Sequence, residues 1–421
     1  MQALLSPASL SLAALIVVIV FSLTSRINVG VLAVALATGV AVLFARWKPD
    51  ELAALFPSSL FLTLVGVTLL FSAAQANGTL EAIAGRITAL SGGHASMLPI
   101  LFFLFALCLS CVGPGGAAAT ALIAPLAMAS AARAGVPMLL MALAVGNGAN
   151  AGNLSPVTSM GIVAQASMAK AGLLGHGMAA FAASFLAHTI VAVAAYLLFG
   201  GLTLLRKGRD VDAIVAPPLP MSAKHWVTLV VLAIWILGVI FLGLQPGLSG
   251  FVAAAFLIAL KLADDGPAVK GVPWNVIMMV SGVSVLIGVM DKTGGLEMFT
   301  TALTKIMTPT TANGALAFVT GVISTYSSTS GVVYPAFLPT VADLAQKLGG
   351  GSALEMALSI CVGAALVDVS PLSTIGALAI AATPPGATDM RKLFRGMLLW
   401  GFAMALVAAL FCQLFIHFFA W

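Results

Sequence analysis

The chain has 421 residues, 61% hydrophobic and only 7% charged, with a formal net charge of +5. A soluble domain carries about 25% charged residues, so a water-soluble globular protein is excluded, and a charge this modest gives no footing for nucleic-acid binding. Apolar runs of the roughly 20 residues that cross a bilayer recur along the whole length, and the fold class is an all-α polytopic membrane protein.

In chain order, the N-terminal stretch "MQALLSPASLSLAALIVVIVF" lacks a basic n-region and reads as a retained first span, not a cleaved signal. Spans are predicted at about 8–24, 28–45 and 57–75. The apolar stretch at about 96–134 is too long for one crossing and is interrupted by "VGPGG" (Val112 to Gly116). It reads as a re-entrant hairpin, whose non-helical tip must be buried in protein or face water. A long span at about 137–168 contains Ser155-Pro156, where the missing proline N–H should open the helix. A span at about 174–204 closes the first half. Residues 206–222, polar and proline-rich, form the one obvious linker. Spans then follow at about 223–244, 247–264 and 272–291, a second hairpin at about 312–348 broken at "SSTSG", a broken span at about 353–384 with Ser370-Pro371, and a final span at about 391–420.

The halves repeat. "FPSSLFLTLVGVTLLFSAAQANGTLE" from Phe56 matches "VPWNVIMMVSGVSVLIGVMDKTGGLE" from Val272, with Pro57 on Pro273, Gly66 on Gly282, Gly78 on Gly294 and Glu81 on Glu297. "GNLSPVTSMG" (Gly152 to Gly161) returns as "VDVSPLSTIG" (Val367 to Gly376), offset by 215 (370 − 155). Five crossings separate the matched spans, and an odd number inserts the second half upside down. The expected organisation is two inverted repeats, residues 1–205 and 223–421, of five transmembrane helices and one hairpin each. Inverted repeats with broken helices are the build of secondary transporters. One membrane side collects 12 Lys and Arg (Arg26, Arg86, Arg133, Arg206, Lys207, Arg209, Lys224, Lys261, Lys270, Arg391, Lys392, Arg395) and the other 6 (Arg46, Lys48, Lys170, Lys292, Lys305, Lys347). The richer side is expected to be cytoplasmic, which puts the linker inside and both termini outside.

Four breaks should therefore converge: two hairpin tips and two Ser-Pro openings. Half-helix N-termini suit an anion, while freed carbonyls and hydroxyls suit a small cation such as sodium. The side chains on offer are hydroxyls and amides with no Lys or Arg. Asp368, the one acidic residue deep in a predicted span, aligns with Asn153 (368 − 153 = 215); an intramembrane carboxylate is costly and functional by default, and Na⁺ or H⁺ is its expected partner. His188 reads as a hydrogen-bonded histidine within its span, with a proton relay as the sharper alternative, and His417 as an interface anchor. Cys108, Cys111, Cys361 and Cys412 read as small apolar packers. No His-Glu-x-x-His, nucleotide loop or close carboxylate pair supports an enzyme.

The repeated segments, together with "AVGNGANAGNLSPVTSMGIV", resemble the bacterial malonate/dicarboxylate carriers of the MatC type, in the ion transporter superfamily that includes the divalent anion/sodium symporters. The resemblance implies a homodimer in the bacterial inner membrane, with scaffold and transport domains in an elevator mechanism, a malonate or C4-dicarboxylate substrate such as succinate or malate, and Na⁺ coupling. The superfamily's hairpin tips carry Ser-Asn-Thr; here the second tip reads Ser327-Ser328-Thr329, and the first reads Gly113-Pro114-Gly115-Gly116, which departs from it. On this basis the substrate is expected at Gly115, Gly116, Asn150, Ser155, Pro156, Thr158, Ser328, Thr329, Ser330, Ser370, Pro371, Ser373 and Thr374. The cation is expected at Asn147, Asn153, Gly113, Ser327, Asp368 and Gly363. A proton-coupled organic anion carrier is the alternative, and an anion channel a more distant one, since a channel needs a continuous lined pore.

Overall fold

The computed structural model describes residues 6–24, 27–80, 82, 86, 90–113, 115–207, 221–326 and 328–421. Among them there is no β-strand, which is what a bilayer allows an unclosed chain, because only helices satisfy their backbone groups within one segment. The principal helices of the first half are α1 (Pro7–Thr24), α2 (Val29–Thr38), α3 (Ser58–Ala76), α4 (Met97–Val112), α5 (Gly115–Ala134), α6 (Met138–Gly152), α7 (Ser159–Lys170) and α8 (Gly177–Leu198). Those of the second half are α9 (Ala223–Leu242), α10 (Pro246–Ala259), α11 (Trp274–Thr293), α12 (Gly295–Leu303), α13 (Ala312–Tyr326), α14 (Val341–Leu348), α15 (Ala353–Leu366), α16 (Thr374–Ala381) and α17 (Met390–Phe415). Among the described residues, five helices are long and apolar enough to cross a membrane: α3, α5, α8, α11 and the α17 segment to Phe419. Of the shorter apolar helices among the described residues, α4, α6, α13 and α15 stop at a break.

Local chemistry sets the ends. Asn28 accepts from the Gly30 N–H at the start of α2, Ser352 from Glu355 at α15, and Asp389 from Arg391 and Lys392 at α17, each occupying donors a helix start leaves open. One expected span and one arm of an expected hairpin are less regular than the sequence implies. Residues Gly39–Phe44 widen into a π-helix after α2. The second arm of the second hairpin is a chain of short pieces, a π-turn Thr329–Val333, then Tyr334–Phe337, a 3₁₀ turn Leu338–Thr340 and α14. Pro335 and Pro339 account for this, since each removes an N–H from the ladder. The linker lies mostly outside the described residues, as do Arg26, Glu81, Arg209, Pro114 and Ser327.

The helices sort into two packed groups. In one, α3 lies against α10 and α11 against α2, with α1 on α2, α11 and α12. In the other, α4 and α5 pack on α6, α8 on α6, α13 on α15 and α17, and α17 on α15. The first group is fastened by two backbone crossings. A Cβ on Gly66 would run into the carbonyl of Gly247, and a Cβ on Gly282 into the carbonyl of Gly30. Small residues that let helix backbones touch are a main source of attraction in lipid. The packing is reciprocal between the halves. The second arm of the first hairpin, α5, rests on α16, and the second arm of the second hairpin rests on α7.

Candidate functional site

The recurring Ser-Pro motif builds two breaks of one design. After α6, Thr158 starts α7, accepting from the Gly161 N–H at 3.0 Å and directing its hydroxyl at the carbonyls of Asn153 (2.6 Å) and Ser155 (2.8 Å). After α15, Ser373 starts α16, with its hydroxyl on the carbonyls of Asp368 and Ser370, the latter at 2.8 Å. The closing glycine has a steric cause in both copies. A Cβ on Gly161 would collide with the Ser155 carbonyl, and one on Gly376 with that of Ser370. The hydroxyls of Thr158 and Ser373 are thus engaged with backbone, and Pro156 and Pro371 sit in the turns. Ser155 and Ser370 are buried, Ser370 against Gly401. None of these six residues lines the central cavity.

That cavity, about 130 Å³, lies where the four breaks meet. Gly115 and Gly116 come from the first tip, Ser328, Thr329 and Ser330 from the second, Asn153 and Ser159 from the first break, and Asp368 and Thr374 from the second. Of the substrate residues expected from the sequence, these tips and Thr374 reach it; of the cation residues, Asn153 and Asp368 do. The two breaks touch each other directly, since the Asn150 side-chain amide donates to the Ala365 carbonyl at 3.3 Å, and these positions are themselves 215 apart.

Each break receives its own half's tip. The Asn153 Oδ1 accepts from the Gly116 N–H at 2.7 Å, while its Nδ2 faces the Asn150 Oδ1 at 3.3 Å. In the second half the Thr329 hydroxyl lies 2.8 Å from Oδ2 and 3.0 Å from Oδ1 of Asp368. The Ser324 hydroxyl touches that of Thr329 and lies 3.3 Å from the Asp368 Oδ1, and the Ala364 carbonyl is 3.4 Å from the Thr329 hydroxyl. Asp368 is 7% exposed and, among the described residues, is the one ionisable group lining the cavity.

The remaining expected residues lie elsewhere. Asn147 pairs with the Leu143 carbonyl at 2.9 Å and with the His188 Nδ1 at 3.1 Å, in the core between α6 and α8. Gly363 is a packing contact, where a Cβ would meet the Ala317 backbone on α13 at 2.5 Å. Gly113 lies under the Phe71 ring, and Ser327 is outside the described residues. Sequence reasoning missed the wall opposite the breaks: Leu64 and Thr68 of α3, and Pro273, Val276 and Ile277 at the start of α11. The signal was present, because these residues fall in or beside the segments whose repetition marked the two halves.

The fold is that of a polytopic membrane protein, and its similarity to known proteins points to a transporter rather than an enzyme. Residues 5–153 match the family model described as the dicarboxylate carrier protein MatC N-terminus, so over that stretch the resemblance drawn from the motifs holds. No curated protein sequence matches the chain. Among solved structures, the fold is similar to the crystal structure of the Alcanivorax borkumensis YdaH transporter, described as having an unusual topology. The TM-score is 0.61 at 15% identity, over 96% of this chain and 98% of that one.

Proposed function

We propose that the chain is a secondary active transporter that imports a small dicarboxylate, malonate or a C4 acid, across the bacterial inner membrane with a coupling cation. The observation that carries this reading is the convergence of both tips and both breaks on one cavity without Lys or Arg. There a carboxylate is held by backbone N–H groups, hydroxyls and helix starts, and its charge needs a co-bound cation. Oxygens of Ser324, Thr329, Asp368 and the Ala364 carbonyl gather at the second break. Five oxygens there share two hydroxyl hydrogens, a hard-donor set that suits Na⁺ and would equally take a proton on Asp368. When bound, the ion supplies the positive charge that lets a dianion lie beside Asp368.

The reciprocal packing supports two inverted repeats, residues 1–205 and 223–421, joined by the cytoplasmic linker 206–222. The two helix groups support a scaffold (α1–α3 and α9–α12) and a moving body (α4–α8 and α13–α17) in an elevator cycle. Both termini then face outward, and the resemblance supports a homodimer. The deciding experiment is uptake of labelled malonate and succinate into proteoliposomes with imposed sodium and proton gradients. Accumulation driven by sodium supports the reading. Accumulation driven by protons alone selects the proton-coupled alternative, and flux that no gradient concentrates sinks active transport.

A further inference from the structure

A second cavity of about 350–430 Å³ scale would be unremarkable at a surface, but the one of about 430 Å³ between α3, α7 and α11 has an unusual lining. Its polar wall comprises Ser58, Ser59 and Thr63 on α3, Ser167 and Lys170 on α7, and Ser284 on α11, with the Thr63 hydroxyl donating to the Ser59 carbonyl at 2.8 Å. Ser167 and Ser284 are each 5% exposed, line the cavity, and form no hydrogen bond with any described residue. As cavity-lining hydroxyls they are donors available to whatever the cavity holds. Lys170, exposed by its surface area, lines the same cavity and makes no ion pair with a described residue. The start of α3 adds the positive end of a 19-residue helix to the same wall.

We propose that this cavity is an outer dock for a carboxylate anion, a waiting site distinct from the central one. It rests on the proposed function for its role in transport, though not for its anion preference. The two cavities lie along one seam: α3 lines the dock at Ser58, Ser59, Leu60 and Thr63 and the central cavity at Leu64 and Thr68. α7 lines the dock at Ile162, Ala166, Ser167 and Lys170, and the central cavity at Ser159, Met160 and Val163. The dock's end of the seam is the Lys/Arg-poor side, the side assigned to the outside. No described residue lining the central cavity is cationic, so Lys170 supplies the attraction for a dianion that the central site lacks, as charged clefts do when they raise local ligand concentration.

The test uses the full chain in liposomes, with Ser167→Cys introduced after Cys108 and Cys111, the two native thiols not fully buried, are changed to Ser. Modification rates by an anionic and a cationic methanethiosulfonate, each normalised to its rate with a free thiol, should differ about tenfold in favour of the anion. Lys170→Gln should abolish that bias, and malonate should slow the reaction in liposomes of neutral lipid. Ala166→Cys, on the same wall, replaces the first variant if that one fails to fold. Equal normalised rates, a bias that survives Lys170→Gln, or protection by anionic lipid without protection by malonate overturns the dock. In uptake assays Lys170→Gln should raise the outside KM severalfold at low salt and leave kcat unchanged, the difference closing at high salt. If the wild-type chain imports no dicarboxylate, the transport reading fails, while the thiol chemistry still decides whether the cavity collects anions.

Discussion

Thr329→Val removes one hydroxyl and keeps the side-chain shape, which isolates the contact between the second tip and Asp368. That hydroxyl lies 2.8 and 3.0 Å from the two carboxylate oxygens, and the next hydroxyl, of Ser324, is at 3.3 Å. A hydrogen bond to a charged group contributes about 1.5–3 kcal/mol, against about 0.5–1.5 kcal/mol for a neutral pair. Thr329→Val should therefore weaken cation dependence by roughly ten- to hundredfold in the wild-type background. Asp368→Asn keeps the shape and removes the charge. In that background Thr329→Val should cost only the neutral-pair value, leaving a coupling energy of about 1–2 kcal/mol in a double-mutant cycle. The assay is the half-saturating sodium or proton concentration for malonate uptake in proteoliposomes, with counterflow exchange measured in parallel. Asp368→Asn should lose gradient-driven accumulation while retaining part of the exchange. Additive effects of the two substitutions, or an unchanged ion dependence in Asp368→Asn, would refute the assignment of this cluster to coupling.

Three further outcomes are expected. Gly66→Ala and Gly282→Ala must part helix backbones that now touch, and each should destabilise the detergent-solubilised protein by about 1–3 kcal/mol, read as a lowered Tm, with Gly39→Ala, which meets nothing within 4 Å, as the neutral control. Asn153→Ala strands the Gly116 N–H that it now accepts from at 2.7 Å, a loss of about 1–3 kcal/mol that should appear as weaker substrate affinity, whereas Ser155→Ala, off the cavity, should leave affinity within about threefold. A cysteine at Arg395 should react with membrane-impermeant thiol reagents only from the inside of oriented vesicles, and one at Lys48 only from the outside; the opposite pattern reverses the orientation.

The long-range plan was legible because it rests on periodic features. Pro57 on Pro273 and Ser155-Pro156 on Ser370-Pro371 marked the spans and breaks, and the structure opens its helices at Gly152 to Ser159 and Leu366 to Thr374 accordingly. Asp368 stood out because charge in an apolar run is costly wherever it lies. What the sequence hid is which atom of a motif faces inward. Thr158 and Ser373 look like ligands by residue type, yet a hydroxyl that starts a helix has backbone partners within its own turn. Asn147, one turn before Asn150 on much the same side of α6, meets His188 instead of the break, a difference of depth along the helix that residue type does not record. The irregular arm after Thr329 was hidden for a related reason. Proline forbids a regular ladder at Pro335 and Pro339, but it does not say whether the chain answers with a π-turn, a 3₁₀ turn or a kink.

The paired crossings of Gly66 with Gly247 and Gly282 with Gly30 act as rivets. At each, main chain meets main chain, so neither helix can slide along the other without driving a side chain into a carbonyl. The boundary with the other helix group is made of different material. At the second tip, the atoms that a Cβ on Gly331 would strike are the Sδ and Cγ of Met279 on α11, and on the other side of the central cavity Met160 of α7 is part of the lining. Methionine has three rotatable bonds and a polarisable sulfur, and re-packs against a new neighbour at little cost. Rigid joints therefore lie inside both groups, since Gly148 on the Phe103 carbonyl and Gly363 on the Ala317 backbone serve the second as Gly66 and Gly282 serve the first, while the methionine contacts along the seam between them are compliant.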